Sequence, residues 1–121
     1  GSYAPVVGLF FRQKESRQDM TVVGDGLQTR DYTHVSDIVD ALFLASISTN
    51  KKIIGETFNL GTGRHHSVMD IVRLVNGPHV HIPERPGEAR ETLADNSKAV
   101  NLLGWNPSVV FEEWVEANRP K

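Results

Sequence analysis

Two arginines are the residues best suited to chemistry in this chain, and the chemistry they suit is anion binding. Arg30 lies in the run Gly24-Asp25-Gly26-Leu27-Gln28-Thr29-Arg30-Asp31-Tyr32, and Arg85 in Pro83-Glu84-Arg85-Pro86-Gly87-Glu88. A guanidinium is planar and permanently charged, and its paired donors match two phosphate oxygens. Arg30 follows a glycine-flanked turn and precedes a stretch of strand formers, which puts it at the mouth of a loop. Two prolines and a glycine stiffen the chain around Arg85, lowering the entropic cost of holding a ligand. Taken singly, each also reads as a solvated surface arginine, with Asp25 or Asp31 as the partner of Arg30.

Other constellations are weaker. His79 and His81 share one face of a short strand, and His65-His66 open a helix, which raises the question of a metal. The chain has five histidines but no cysteine, and no acidic set converges on them, so no metal ligand is expected. Gly61-Thr62-Gly63 stands between a strand and a helix as a dinucleotide loop would. His66 occupies the third glycine position, however, and no βαβ unit with an acidic residue follows.

The bulk properties narrow the class. At 121 residues the chain is one domain or a piece of a larger one, with 39% hydrophobic residues and a net charge of −2. That balance offers no basic surface for nucleic acid. No apolar run approaches a membrane span, and the lack of cysteine fits a cytoplasmic setting. Gly1-Ser2 resembles a cloning scar, so the segment to explain starts at Tyr3.

The elements that must hold the arginines alternate. Pro5 opens a helix through Val6-Val7-Gly8-Leu9-Phe10-Phe11. Thr21-Val22-Val23 is a strand stopped by Gly24-Asp25-Gly26, and residues 29–35 form a second strand. Ser36 caps a helix over 36–46 whose apolar residues fall on nearly every side, a pattern that calls for partners on both sides. Residues 56–60 make a strand ended by Gly61-Thr62-Gly63. Ser67 and Asp70 form a capping box for a helix over 68–75, which Asn76-Gly77-Pro78 ends. A short strand follows at 80–82. Asp95 or Asn96 then caps a helix to Leu103, with Gly104 in the left-handed position after it, and a last helix spans 111–117. The expected class is α/β, short strands alternating with about five helices.

Six blocks occur in order: Tyr3-Ala4-Pro5-Val6-Val7, the segment 21–32, Val35-x-Asp37-Ile38, Phe58-Asn59-Leu60-Gly61-Thr62-Gly63, Arg85-Pro86-Gly87-Glu88, and Ala94-Asp95-x-x-Lys98-Ala99. In that order the chain resembles the C-terminal portion of NAD-dependent nucleotide-sugar epimerases and dehydratases. These are the extended short-chain dehydrogenases typified by UDP-glucose 4-epimerase. The resemblance implies that residues 3–117 are an incomplete, substrate-binding part of that fold, with the N-terminal NAD-binding Rossmann domain absent. It implies that Arg30 and Arg85 bind the diphosphate and that Val6 and Val7 lie at a helix N-terminus turned toward the same phosphates. Thr21, Val22 and Val23 would run along the nucleobase, and Glu88 near the ribose. Asp95 and Lys98 would be a helix cap and a surface lysine.

The same resemblance implies what is missing. The family's catalytic tyrosine has a lysine four residues on, whereas Tyr3 is followed at that spacing by Val7 and Tyr32 by Ser36. No catalytic residue is therefore expected, nor a cofactor bound by this segment, although NAD is implied for the whole enzyme. The tight turn at Asn76-Gly77-Pro78 is shorter than the family's usual connection, and the end at Lys121 comes early. The expectation is a catalytically inert binder of a nucleotide-diphosphate sugar that self-associates or domain-swaps through helix 36–46 and strand 57–61. The alternatives are a free-standing module derived from the family, and a structural fragment that binds nothing.

Overall fold

The computed structural model describes residues 2–87 and 90–121. It contains α1 (Pro5–Glu15), β1 (Met20–Val23), β2 (Thr29–Arg30), α2 (Val35–Ile47), a single 3-10 turn (Lys51–Ile53), β3 (His66–Ser67), α3 (Val68–Val75), β4 (His79–Ile82), α4 (Ser97–Leu103) and α5 (Phe111–Asn118). The class is α/β as the alternation implied. Among the described residues the strands form two separate pairs rather than one sheet. β1 lies parallel to β4, with Met20 opposite His79 and Val23 opposite Ile82, while β2 and β3 are antiparallel.

α3 shows most plainly how sequence becomes structure here. Val68, Ile71, Val72 and Val75 recur at helical spacing and all are buried. The Ser67 hydroxyl accepts from the Asp70 amide at 3.0 Å and the Asp70 carboxylate accepts from the Ser67 amide at 2.9 Å, closing the capping box. Asn76 ends the helix in the left-handed conformation. The buried face meets Val7 and Phe10 of α1, Met20 and Val22 of β1, and Phe111 and Val115 of α5 in the main core. The turn after β1 fits closely against this layer. A Cβ on Gly26, at φ +72°, would lie 2.7 Å from a Val22 methyl and 2.8 Å from Met69, so any side chain there is strained and must displace one of them.

A second, smaller core joins Ala41, Ala99 and Trp105, with Phe58 and Leu60 packed against them. Asp37 ties it together. Its side chain is fully buried. The carboxylate accepts hydrogen bonds from the Ser108 amide (2.9 Å), the Ser108 hydroxyl (3.1 Å) and the Val109 amide (3.1 Å). Trp105 Nε1 donates to the Asp37 backbone carbonyl at 2.8 Å. The opposite side of α2 stays open, with Leu42 64% and Phe43 61% exposed.

Three expectations need correcting. The strand over 29–35 stops at Arg30, because β3 offers only two residues to pair with and the Asp31 side chain binds loop backbone instead. Residues 56–60 form no strand: no described strand pairs with them, and Phe58 and Leu60 pack on the Trp105 cluster. Helix 36–46 begins one residue earlier, so its cap is His34, whose Nδ1 accepts from the Ser36 amide at 3.0 Å, and not Ser36. Lys98 is exposed, as the resemblance implied, and pairs with Glu56 at 2.9 Å. Asp95 accepts from the Ser97 amide just before α4, and Gly104 takes the left-handed position after it.

Tyr3 docks the chain start. Its ring meets Phe111 and Trp114 edge-on at 5.0 Å, while its hydroxyl is buried without a partner among the described residues. Burial, then the charges of Asp37 and Glu112, push this phenol up from 10.0 to about 12. An acid whose folded value is raised loses its proton first in the unfolded chain, so stability falls as pH climbs through that window. Tyr3→Phe removes an orphan hydroxyl and this titration together. Urea midpoints should be equal or higher for the variant at pH 8 and decline less by pH 11; an equal decline would show that Tyr3 is not the group responsible.

Candidate functional site

A cleft of about 700 Å³ opens between the start of α1, the outer side of β1 and the loop carrying Arg85. Five of the eight candidate residues line it: Val6, Thr21, Val23, Arg30 and Arg85. Val7 and Val22 do not, being 2% and 0% exposed with their side chains in the main core. Glu88 lies outside the described residues.

Local folding explains how these groups converge. Pro5 occupies the first turn of α1 and has no amide hydrogen, and the Val7 amide donates to the Ala4 carbonyl at 3.1 Å. Val6 carries the amide between them. β1 pairs with β4 on one edge. At Thr21 its other edge is occupied by Gln13, whose amide oxygen accepts from the Thr21 backbone (3.1 Å) and whose nitrogen donates to the Thr21 hydroxyl (3.0 Å). Arg30 and Arg85 are 55 positions apart in sequence yet face the same cavity.

The electrostatics of the cleft follow from where the acids go. Asp25 is held by Arg90 through contacts of 3.1 and 3.2 Å. The Arg90 guanidinium, then the Leu27 amide, hold the Asp25 carboxyl below its ordinary value. Asp31 turns its carboxylate to loop backbone: Oδ1 accepts from the Thr62 amide (3.0 Å) and hydroxyl (2.7 Å), Oδ2 from the Gly63 amide (2.9 Å) and Ala94 amide (3.4 Å). Among the described residues no carboxylate lies within ion-pair distance of Arg30 or Arg85. Among the described residues the Arg30 guanidinium donates to the Thr29 carbonyl, at 2.8 Å. Toward the described residues neither cation has a carboxylate partner, and Arg12 adds a third cation along the cleft wall.

Sequence reasoning missed Arg12 and the buried Gln28, which also lines the cleft. The first had a signal, since Pro5, Leu9 and Arg12 share a helical face. Gln28 had none, because its burial depends on distant packing.

The loop Gly61-Thr62-Gly63 does not fit a dinucleotide. Its Thr62 and Gly63 amides, which would have to face a phosphate, already donate to Asp31, a carboxylate that would repel one. Gly61 serves close packing instead: a Cβ there would lie 2.3 Å from that of Ala94. The amides at the start of α3 are likewise engaged: Val68 donates to the Gln28 carbonyl (3.3 Å), Met69 to the Gly26 carbonyl (3.0 Å) and Asp70 to the Ser67 hydroxyl (3.0 Å). His66 contacts Glu112, and His81 Nδ1 lies 2.7 Å from the Gly24 carbonyl. Among the described residues no three His, Cys, Asp or Glu side chains gather as a metal site, and no helix is long and apolar enough to cross a membrane.

The sequence model of the family described as GDP-mannose 4,6 dehydratase matches residues 6–118. The chain belongs to that family. Within it are the NAD-dependent sugar epimerases and dehydratases that the six sequence blocks resembled. The UDP-glucose 4-epimerase of Mycolicibacterium smegmatis is 34% identical over 119 residues, covering 93% of this chain and 37% of that protein. Among solved structures, an epimerase from Methanothermobacter thermautotrophicus superposes with a TM-score of 0.86 at 32% identity, over 93% of this chain and 35% of that one. The UDP-glucuronic acid 4-epimerase of Bacillus cereus, in complex with UDP-glucuronic acid and NAD, gives 0.80 at 30% identity, over 93% and 37%. This member of the GDP-mannose 4,6 dehydratase family therefore spans little more than a third of the length of the relatives it matches.

Proposed function

We propose that this chain forms the nucleotide-diphosphate-sugar-binding portion of an NAD-dependent sugar epimerase or dehydratase, with Arg30 and Arg85 on the diphosphate. The observation that carries this reading is the shared cleft. Two guanidiniums without carboxylate partners among the described residues, from opposite halves of the sequence, face one cavity beside the first amide of α1. Each cation neutralises one phosphoryl group, and the amide adds a donor where the helix dipole favours negative charge.

On this reading the chain holds substrate and the redox chemistry is done by residues and NAD outside it. The open apolar face of α2 is where that remaining part of the enzyme packs. Titration calorimetry of the chain with UDP-glucose tests the clamp. Saturable binding should weaken about tenfold or more in Arg30→Ala, the loss expected for a charge-assisted pair. Binding that is indifferent to Arg30, or no heat at millimolar ligand, would overturn the assignment.

A further inference from the structure

We infer that Asp25 and Arg90 are positioning residues for the anion site, their ion pair closing the base of the loop that carries Arg85. This rests on the diphosphate reading above and extends it. The loop leaves the end of β4 and returns at Arg90, and both of its ends meet one turn. At the near end the Gly24 amide donates to the Ile82 carbonyl at 2.9 Å, and His81 Nδ1 lies 2.7 Å from the Gly24 carbonyl. At the far end Arg90 Nη1 and Nη2 donate to the two carboxylate oxygens of Asp25, at 3.1 and 3.2 Å. Ile82 and Arg90, eight positions apart, are thus drawn to neighbouring residues of the turn.

The far end is also joined to Arg30. The Thr29 amide donates to the Arg90 carbonyl at 2.7 Å. The Thr29 carbonyl accepts from the Thr92 amide at 3.1 Å and from the Arg30 guanidinium at 2.8 Å. One residue therefore links the Arg30 side chain to the chain that returns from Arg85. The Asp25–Arg90 pair adds a side-chain fastening beside these backbone bonds, and a two-pronged contact fixes orientation as well as distance. A loop already closed at its base loses less entropy when Arg85 engages an anion. Neither Asp25 nor Arg90 lines the cleft, so their influence on the anion passes through Arg85.

Calorimetry of the full chain with inorganic pyrophosphate tests this. Asp25→Asn keeps an oxygen for the Leu27 amide, which Asp25 Oδ1 accepts at 2.9 Å, but sets an NH2 against the guanidinium. It should weaken binding about threefold, the scale of an exposed ion pair. Charge alone predicts the reverse, since the variant loses a negative group near an anion site. The same substitution should cause no loss in Arg85→Gln, where there is nothing left to position, nor in Arg90→Gln, where there is no pair left to break. Unchanged or tighter binding by Asp25→Asn overturns the inference, as does a loss that persists in either background. If Arg30→Ala and Arg85→Gln still weaken pyrophosphate binding, the diphosphate site stands without it. If pyrophosphate does not bind, or binds regardless of both arginines, both readings fall.

Discussion

Asp37→Ala is expected to lower folding stability by about 3 kcal/mol, read as a shift in urea midpoint at constant slope. The side chain is fully buried and accepts three hydrogen bonds from Ser108 and Val109, about seventy residues downstream. Removing the carboxylate leaves two backbone amides and a hydroxyl without their acceptor. Each orphaned buried donor costs about 1–3 kcal/mol, but Ser108 is exposed, so water compensates part of the loss. Asp37→Asn separates charge from geometry. One oxygen remains for Ser108 while an NH2 faces the Val109 amide, so an intermediate loss is expected. An Asp37→Ala loss below about 1 kcal/mol would mean that water substitutes for the carboxylate and that the link from α2 to α5 adds little.

Asp31→Ala carries the second large effect, again about 3 kcal/mol, and it reaches the cleft. Asp31 accepts from Thr62 twice, from Gly63 and from Ala94, drawing two distant loops to the residue next to Arg30. Without it, the Thr62 and Gly63 amides should lose protection from hydrogen exchange. Pyrophosphate binding should also weaken, because Arg30 would no longer start from a fixed backbone. A purely electrostatic view predicts the reverse, since removing a negative charge beside Arg30 should favour an anion. Tighter binding by Asp31→Ala would therefore sink the positioning role, whatever happened to stability.

How much of this was legible beforehand depended on the range of the interactions. α3 could be read almost to the residue, because its cap, apolar period and terminating Asn76 are all local. Gly104 after α4 was legible for the same reason. Residues 56–60 failed because their composition suits a strand, while strand formation needs a neighbour that composition cannot supply. Residues 31–35 failed because one side chain, Asp31, outcompetes the ladder for loop amides. At the site, Arg30 and Arg85 were visible as chemistry, but their shared cleft follows from the parallel pairing of β1 with β4. Val7 and Val22 show a different limit. A motif position names a residue, yet their side chains turn into the core while Val6, Thr21 and Val23 face the cavity.

That β1–β4 pairing also has a cost in chain entropy. Joining Met20 to His79 closes a loop of about sixty residues. For unstructured chain the length-dependent part of that penalty alone is roughly 4 kcal/mol. Four residue pairs on a strand whose outer face is mostly exposed are poor compensation. The loop is not unstructured, however. β2, α2, β3 and α3 lie within it, and α3 packs against both α1 and β1. Once α3 has docked, only Asn76-Gly77-Pro78 separates its end from β4, and the Pro78 carbonyl accepts the Met20 amide at 2.9 Å. The tight turn that looks like a shortened connection thus turns a sixty-residue closure into a three-residue one.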